Sequence, residues 1–447
     1  VYFRLQDFER SEHFVNQLLL ETPEDVALLD LYIQMLLHQK DYEKALRVLN
    51  KAVSLDPSNL ERKLLFAGFL ISHGREKDRI SGWRFVWNVA GSKGEPGIRA
   101  IDLLLKASGF NDRLQQRLIA LIEAHPLAGE RHRIEALDRK VALRPQAREQ
   151  LVAAAMAERA ALALVELRPF FKWLNKQKDY SYILENMTLE RARADEEILV
   201  IYLNAMGHDG RWAEVKKILA DPTLPIAEAR QHMFSALCSR ELGDDPTVME
   251  FHLREALKTV RRHGSFAEAF NAGAFAETVG LDAIAELAFE LAKRSTENSS
   301  LAFEGLSRIA EKNRDALKLR DITRKHFYRF PKEPKLGERV LYLNALIGLE
   351  IESTLDDALA LIEKEPFRVE PRIIAALAYY RMHDLASAAR ISDPCELTEL
   401  STSQKAVVAA IAGARDMAEF ARSITGEIEE SGDILLDEEA NLINRWR

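Results

Sequence analysis

The amino-acid sequence predicts an all-α protein of about 20 or more helices, arranged in antiparallel pairs that stack into a right-handed superhelix. Three observations predict this fold class: a composition rich in helix-forming residues, a scarcity of glycine and proline, and an internal repeat of 34 residues.

The composition is that of a well-buried helical protein. Hydrophobic residues make up 47% of the 447 residues and charged residues 30%, a balance that excludes a disordered chain. The chain has only 20 glycines and 14 prolines, and glycine is absent from residues 1–67 and 130–206. Turn-rich β folds need more of both residue types, so the composition favours helices.

The charge, the cysteine content and the apolar runs bear on the partner and the compartment of the protein. The formal net charge is −8, whereas a nucleic-acid-binding domain usually carries a basic excess, so no nucleic-acid partner is predicted. The two cysteines, Cys238 and Cys395, are too few for a disulfide framework and leave cytoplasm and periplasm both open. No apolar run reaches the ~18–20 residues of a membrane span, and no signal peptide is visible.

The repeat is visible in two segments offset by 34 residues. Asp7-Phe8-Glu9-Arg10-Ser11 precedes Pro23, and Asp41-Tyr42-Glu43-Lys44-Ala45 precedes Pro57 in the same register. Since proline cannot continue a helix, each proline marks the end of a repeated helix. A repeat of this length indicates stacked helix pairs.

The segment Val26 to Asn59 resembles the tetratricopeptide repeat family. The resemblance lies in small or apolar residues where the two helices of a pair approach: Leu29, Tyr32, Leu36, Ala45, Leu49 and Ala52. The segment departs from the family pattern at Ile33 and Lys40, where a small residue and a glycine are usual. Similar matches occur at 266–294, with Gly273, Gly280 and Phe289, and at about 196–220.

The quality of the matches divides the chain into four parts of one continuous solenoid. Repeats are regular at 1–74, with the first one truncated, irregular at 75–190, regular at 191–294, and divergent at 295–447, ending in a capping helix. In the irregular part, we expect a loop or distorted pair at Gly82–Gly97 and one long helix over 130–168. Pro169 would then lie in the first turn of the next helix.

Three local features each admit two interpretations. Trp83 and Trp87 share a helical face and form either core packing or an exposed aromatic anchor. The acidic segment 427–439 is either a solvated loop with a helix start or a contact for a basic partner. The first repeat lacks its first helix, which predicts an extension upstream of Val1: further repeats, a signal sequence or, by analogy with bacterial repeat proteins, a membrane anchor.

The sequence shows no constellation of residues that indicates catalysis. It contains no phosphate loop, dinucleotide fingerprint, His-Glu-x-x-His, Cys-x-x-Cys or nucleophile elbow. His232 and Cys238 lie six residues apart on one helix, on different faces. We therefore expect no catalytic residue, cofactor or metal. A regulatory or catalytic module with a small-molecule pocket inside the superhelix stays the alternative.

The family resemblance implies that the first helix of each pair lines a concave groove that binds a peptide or helix of another protein. Family members that clamp a terminal carboxylate use regularly placed Lys, Arg and Asn, and only Asn204 is similar to that arrangement. The expected function is a scaffold or adaptor in a multiprotein complex, associated with a membrane only through an upstream anchor, and self-association stays open. The groove residues expected from the register are Asp30, Gln34, Leu37, His38, Leu64, Ile71, Val200, Asn204, Phe270, Ala274 and Glu277.

Overall fold

A computed structural model describes the protein from residue 8 to residue 446, with side chains from residue 11. Within this range the chain forms 27 α-helices and no β-strand, so the predicted all-α fold class is confirmed. The prediction that Val1–Arg4 ends a preceding helix lies outside the described residues.

The chain divides into two compact units, with the boundary after Asp209. A short 3₁₀ turn, Pro145–Ala147, lies between two helices of the first unit. The helices of the first unit are α1 (Phe8–Glu21), α2 (Val26–His38), α3 (Tyr42–Leu55), α4 (Leu60–His73), α5 (Glu76–Val89), α6 (Glu95–Lys106), α7 (Asp112–Ala124), α8 (Glu130–Leu143), α9 (Arg148–Glu158), α10 (Leu164–Lys176), α11 (Tyr180–Asn186), α12 (Leu189–Ala192) and α13 (Glu196–His208).

The second unit begins at Gly210 and is built in the same way. Its helices are α14 (Trp212–Leu219), α15 (Glu228–Leu242), α16 (Pro246–His263), α17 (Phe266–Thr278), α18 (Asp282–Ala292), α19 (Ser299–Lys312), α20 (Ala316–Arg329), α21 (Pro334–Ile347), α22 (Ile351–Lys364), α23 (Val369–Arg381), α24 (Leu385–Ser392), α25 (Thr402–Ala414), α26 (Ala418–Ser431) and α27 (Asp437–Ile443).

The pair of α2 and α3 shows how the sequence specifies a repeat. Asp25 and Asp41 each cap a helix by accepting hydrogen bonds from backbone N–H groups of its first turn. The small residues Ala45 and Ala52 are fully buried, and because neither projects a large side chain, α2 and α3 can pack closely. The resemblance of this segment to a tetratricopeptide repeat therefore extends to its packing.

The helix period continues through the part of the chain where sequence matches are weakest. The first helices of successive pairs begin at residues 26, 60, 95, 130 and 164, so each start follows the last by 34 or 35 residues. Gly82 lies inside α5, where a Cβ would meet the Ala67 carbonyl oxygen at 2.9 Å. This glycine permits close packing against α4. Of the loop or distorted pair expected at Gly82–Gly97, the structure shows a turn at Ala90–Gly94, between the regular helices α5 and α6.

Two predictions for residues 130–169 were wrong. The single long helix is broken between α8 and α9 by the 3₁₀ turn that begins at Pro145, because proline lacks the N–H that would continue the helix. Pro169 lies inside α10, which begins five residues earlier, at Leu164. Alanine content therefore indicated helix correctly but did not indicate where the helices end.

A left-handed residue in the turn between the two helices recurs in eight of the pairs. In each, this residue has positive φ, and the residue after it donates its N–H to a carbonyl five positions earlier, as from Asp41 to Leu36 at 2.9 Å. This geometry is a Schellman-type helix end, which favours glycine. The left-handed residues are Lys40, Lys178, Gly243, Gly280, Arg314, Gly348, His383 and Asp416.

We expect Lys40→Gly to stabilise the protein. Lys40 has φ of +61°, a conformation that costs an L-residue about 1–2 kcal/mol, of which the flexibility of glycine in the unfolded chain offsets part. The net gain is about 0.5–1 kcal/mol, visible as a higher midpoint of thermal or urea unfolding. Lys51→Gly, at an exposed position inside α3, is the matched control and should lower the midpoint. Equal losses in both variants would contradict the assignment.

A buried phenylalanine joins two pairs of the second unit. Phe289 on α18 is fully buried, and its ring lies where the Cβ atoms of Gly273 and Gly305 would be, within 2.8 Å and 2.6 Å. The glycines on α17 and α19 therefore leave the space that the ring fills. The sequence pattern indicated this role for Gly273 but not for Gly305.

Candidate functional site

A concave surface lies on the first helices of three successive pairs in the first unit. We call this cavity, lined by α2, α4 and α6, the first-unit groove; its volume is about 860 Å³. First helices of neighbouring pairs lie side by side because each pair stacks on the next. The groove is therefore a direct product of the repeat.

The groove combines an apolar floor with a charged rim. Leu64 and Phe69 are buried in its floor, whereas Leu65 is 47% exposed and offers an apolar contact to a bound segment. Glu61 and Arg99 form an ion pair at the rim, between α4 and α6. A surface of this kind suits an amphipathic segment with apolar anchors.

One wall of the groove is fixed by a buried arginine. Arg62, 8% exposed, donates to both carboxylate oxygens of Asp30, at 3.1 and 2.8 Å, and to Asp56 at 3.2 Å. The hydrogen bond to Asp30 has the largest effect on the pKa of Arg62, and it and the hydrogen bond to Asp56 both raise that pKa. The carboxylate of Asp30 therefore orients Arg62 between two pairs and is already engaged within the chain.

Four of the expected groove residues line this cavity together: Asp30, Gln34, Leu37 and Leu64. His38 is exposed at the end of α2, outside the residues that line the cavity. Ile71 is half-buried and packs towards α5, where its Cγ1 would lie 2.9 Å from a Cβ at Gly82. The Ile71 side chain therefore packs inside the pair formed by α4 and α5.

None of the other expected residues belongs to the lining of the first-unit groove. Val200 is half-buried on α13, and Asn204 donates to the Asn175 side chain on α10 at 2.7 Å. In the second unit, Ala274 is half-buried on α17 and Phe270 packs against the core. Glu277 accepts two hydrogen bonds of 2.8 Å from Arg308 on α19. The role of these residues in binding stays a prediction.

A second concave cavity, of about 680 Å³, lies on α19, α21, α23 and α25 of the second unit. We call it the second-unit cavity. Its distinguishing feature is that the C-terminal segment 434–439 forms part of its lining. Leu435 and Leu436 of this segment are buried, as are Leu442 and Ile443 just after it, and a Cβ at Gly413 on α25 would collide with the Trp446 ring.

A buried carboxylate connects the C-terminal helix to the second-unit cavity. Glu439, 2% exposed, accepts a hydrogen bond of 2.9 Å from the Tyr342 hydroxyl and one of 2.9 Å from the backbone N–H of Leu436. Burial, and then the charge of Glu439, raise the pKa of Tyr342 well above its ordinary value, so the hydroxyl stays protonated and donates. The acidic segment thus has an intramolecular contact that neither interpretation of it included.

The remaining titratable candidates show no reactive arrangement. Cys238 is fully buried, and burial raises the pKa of its thiol to about 11, which keeps it protonated at neutral pH. His232 lies 3.2 Å from His252, measured between their Nδ1 atoms, and burial followed by His232 lowers the pKa of His252. Among residues 8–446, no group of three His, Cys, Asp or Glu side chains is placed to hold a metal ion.

Sequence reasoning missed the contribution of α6 to the groove. Arg99, Asp102, Leu103 and Lys106 line it, but this part of the chain was expected to be irregular. The sequence did contain a signal for this helix, because Pro96 lies in the first turn of α6, where a helix tolerates proline. Residues 99, 102 and 106, spaced by three and four, then lie on one face.

No protein-family model matches the sequence, and no curated protein matches it significantly. Similar solved structures include yeast Tom70, with 14% identity over 100% of this chain and 92% of that chain (TM-score 0.28). Another is Naa15/Naa10 bound to HypK-THB, with 14% identity over 95% of this chain and 66% of that chain (TM-score 0.26). A third is the APC/C hetero-tetramer Cut9–Hcn1, with 12% identity over 100% of this chain and 81% of that chain (TM-score 0.28). At such TM-scores the fold assignment rests on the helix pairs of this chain itself.

None of the helices between residues 8 and 446 combines the length and the apolarity that a membrane span requires.

Proposed function

We propose that the protein is a non-enzymatic scaffold that binds a segment of another protein in the first-unit groove, as a component of a multiprotein complex. The observation that supports this proposal is the meeting of Asp30, Gln34, Leu37 and Leu64 in one open cavity on three successive first helices. A groove on this face is where helical-hairpin repeats receive peptides and helices.

The chemistry of the groove favours a segment with apolar anchors and mixed charges. Leu65 and Leu37 offer apolar surface within reach of bound side chains. The rim carries both signs, with Glu61 and Asp102 among the acids and Arg99 and Lys106 among the bases. Apolar contacts supply affinity, and the charged rim fixes register and excludes mismatched segments.

Gly68 offers a clean way to test the proposal. It lies within α4 on the groove wall, and a Cβ added there would meet no atom within 4 Å. Gly68→Trp therefore places a bulky ring at the groove wall, on a Cβ that overlaps no other atom of the fold. We expect the variant to keep the wild-type unfolding midpoint and to lose its groove-bound partners, measured by quantitative affinity capture from native lysate.

Gly426 provides the matched control. It lies within α26 of the second unit, where an added Cβ also meets nothing within 4 Å. Gly426→Trp introduces the same ring on a helix outside the groove and should recover the partners of the wild type in equal amounts. If Gly68→Trp recovers the same stoichiometric partners as Gly426→Trp, the groove is not the binding site.

A further inference from the structure

A third cavity lies in the first unit beside the groove, on different helices. It has a volume of about 730 Å³ and is lined by α5, by α7 and by the turn between α6 and α7. We call it the tryptophan pocket, after Trp83 and Trp87 on α5. Its wall shares only Lys106 with the first-unit groove.

Aromatic side chains form the base of the tryptophan pocket. Trp87 is 8% exposed, and its ring centroid lies 5.5 Å from that of Phe110. Trp83, one turn earlier on α5, is half-buried, and Ile80 is 51% exposed. Trp87 thus packs in the core while Trp83 and Ile80 offer apolar surface to the cavity, which combines both interpretations of the tryptophan pair.

All charged side chains that line the tryptophan pocket are cationic. They are Arg84, Lys106 and Arg117, and all three are exposed. No carboxylate lines the cavity, and among the side chains that the structure describes, none of the three forms an ion pair with Asp or Glu. The guanidinium of Arg117 lies over the Trp87 ring, 4.9 Å from its centroid, which orients it at the wall.

A lining whose only charges are positive contrasts with the formal net charge of the chain, which is −8. The first-unit groove and the second-unit cavity are instead lined by carboxylates as well as cations, and some of these pair, as Arg62 does with Asp30 and Arg368 with Glu338. Three unpaired cations around an apolar base attract an anion, and the low-dielectric aromatic wall strengthens that attraction. Aromatic and arginine side chains are also the residues most enriched where proteins dock.

We propose that the tryptophan pocket is a second docking site, which receives a short acidic peptide segment of a partner with one aromatic or large aliphatic anchor. The anchor packs against Trp83 and Ile80, and flanking carboxylates bind Arg84, Lys106 and Arg117. This site is separate from the groove of the proposed function and serves a ligand of different charge.

The surroundings favour a short acidic peptide over a nucleic-acid strand. Glu76 and Asp78 lie in the first turn of α5, and Asp112 begins α7, so the helices that carry the cations begin with acids. A single strand requires a basic track across several nucleotides, and its phosphates would meet these carboxylates. A short segment places its charges on the three cations alone.

The test uses the full chain and a fluorescein-labelled peptide in which one Phe is flanked on each side by three acidic residues. Fluorescence anisotropy should show saturable binding that weakens as salt rises. Arg84→Ala combined with Arg117→Ala should weaken binding about tenfold or more, and Trp83→Ala by about tenfold. A peptide with Ser in place of Phe should bind correspondingly weakly.

Controls separate the pocket from general charge and from the groove. Arg113→Ala removes an exposed cation from the same helix, α7, outside the pocket lining, and should leave affinity within about twofold of wild type. Gly68→Trp, which blocks the groove, should also leave this affinity unchanged. The Trp83→Phe variant, which retains an aromatic ring, should bind the peptide better than the Trp83→Ala variant does. This comparison separates loss of the aromatic contact from loss of folding.

Three results would overturn the proposal: absence of saturable peptide binding at millimolar concentration, equal weakening by Arg113→Ala and by the double variant, and tighter binding of a single-stranded oligonucleotide of equal charge than of the peptide. If the peptide binds as expected while Gly68→Trp retains all native partners, the tryptophan pocket stands and the proposed groove function fails.

Discussion

Replacing Phe289 by alanine is expected to lower the local stability of the second unit by about 3–5 kcal/mol. The ring is fully buried on α18 between Gly273 and Gly305, with the Phe270 ring centroid 5.9 Å away. Its removal leaves a cavity that two glycines, having no side chains, cannot fill. Hydrogen exchange of the backbone amides in α17, α18 and α19 measures this loss within the full chain.

Exposed and compensating variants sharpen the test of Phe289. Phe251→Ala removes the same side chain from an exposed position of α16, 55% accessible, and should cost well under 1 kcal/mol. Gly305→Ala alone should destabilise by about 1–3 kcal/mol, because its Cβ overlaps the ring, but it should cost less beside Phe289→Ala. Additive losses in the double variant would show that the ring does not occupy this space.

Replacing Glu439 by alanine is expected to release the C-terminal helix from the second unit. The variant loses the hydrogen bond from Tyr342 and the cap on the backbone N–H of Leu436, together about 2–4 kcal/mol. Because α27 has only seven residues, it does not persist as an isolated helix once detached. Rapid hydrogen exchange of the amides of residues 437–443 and new proteolytic cleavage there would report the release.

Two further substitutions check that release depends on the carboxylate's contacts. Glu439→Gln keeps an oxygen that accepts from Tyr342 and should retain most of the protection. Glu430→Ala removes an exposed carboxylate near the end of α26 and should change nothing. Protection of α27 that is equal in Glu439→Ala and wild type would mean that the buried apolar residues alone hold the segment.

Much of the fold could be predicted because each repeat is specified locally. The acids Asp25 and Asp41, together with Pro57, predict the limits of α2 and α3 closely, since caps and breakers act within a few residues. The turns were harder to recognise. In Lys178, Arg314 and other non-glycine residues, the left-handed position is imposed by the packing of the pair and not by the residue type.

The candidate sites were less predictable because they depend on distance in space. Asp30, Gln34 and Leu37 follow from the register of one helix, whereas α6 enters the groove only because two pairs stack. The bond between Tyr342 and Glu439 joins residues 97 positions apart, which no local pattern encodes. The tryptophan pocket likewise needs Arg84 and Arg117 from two pairs.

The C-terminal segment competes with a free ligand at the second-unit cavity but does not line the first-unit groove. Since α27 is tethered directly to α26, its effective concentration at the second-unit cavity is on the order of millimolar. A free peptide that makes similar contacts must exceed that concentration to displace α27. The apparent Kd of the peptide equals its intrinsic Kd divided by the fraction of molecules in which the segment has left the cavity. Among the described residues, no terminal segment lines the first-unit groove, so a peptide that binds there has none of these to displace.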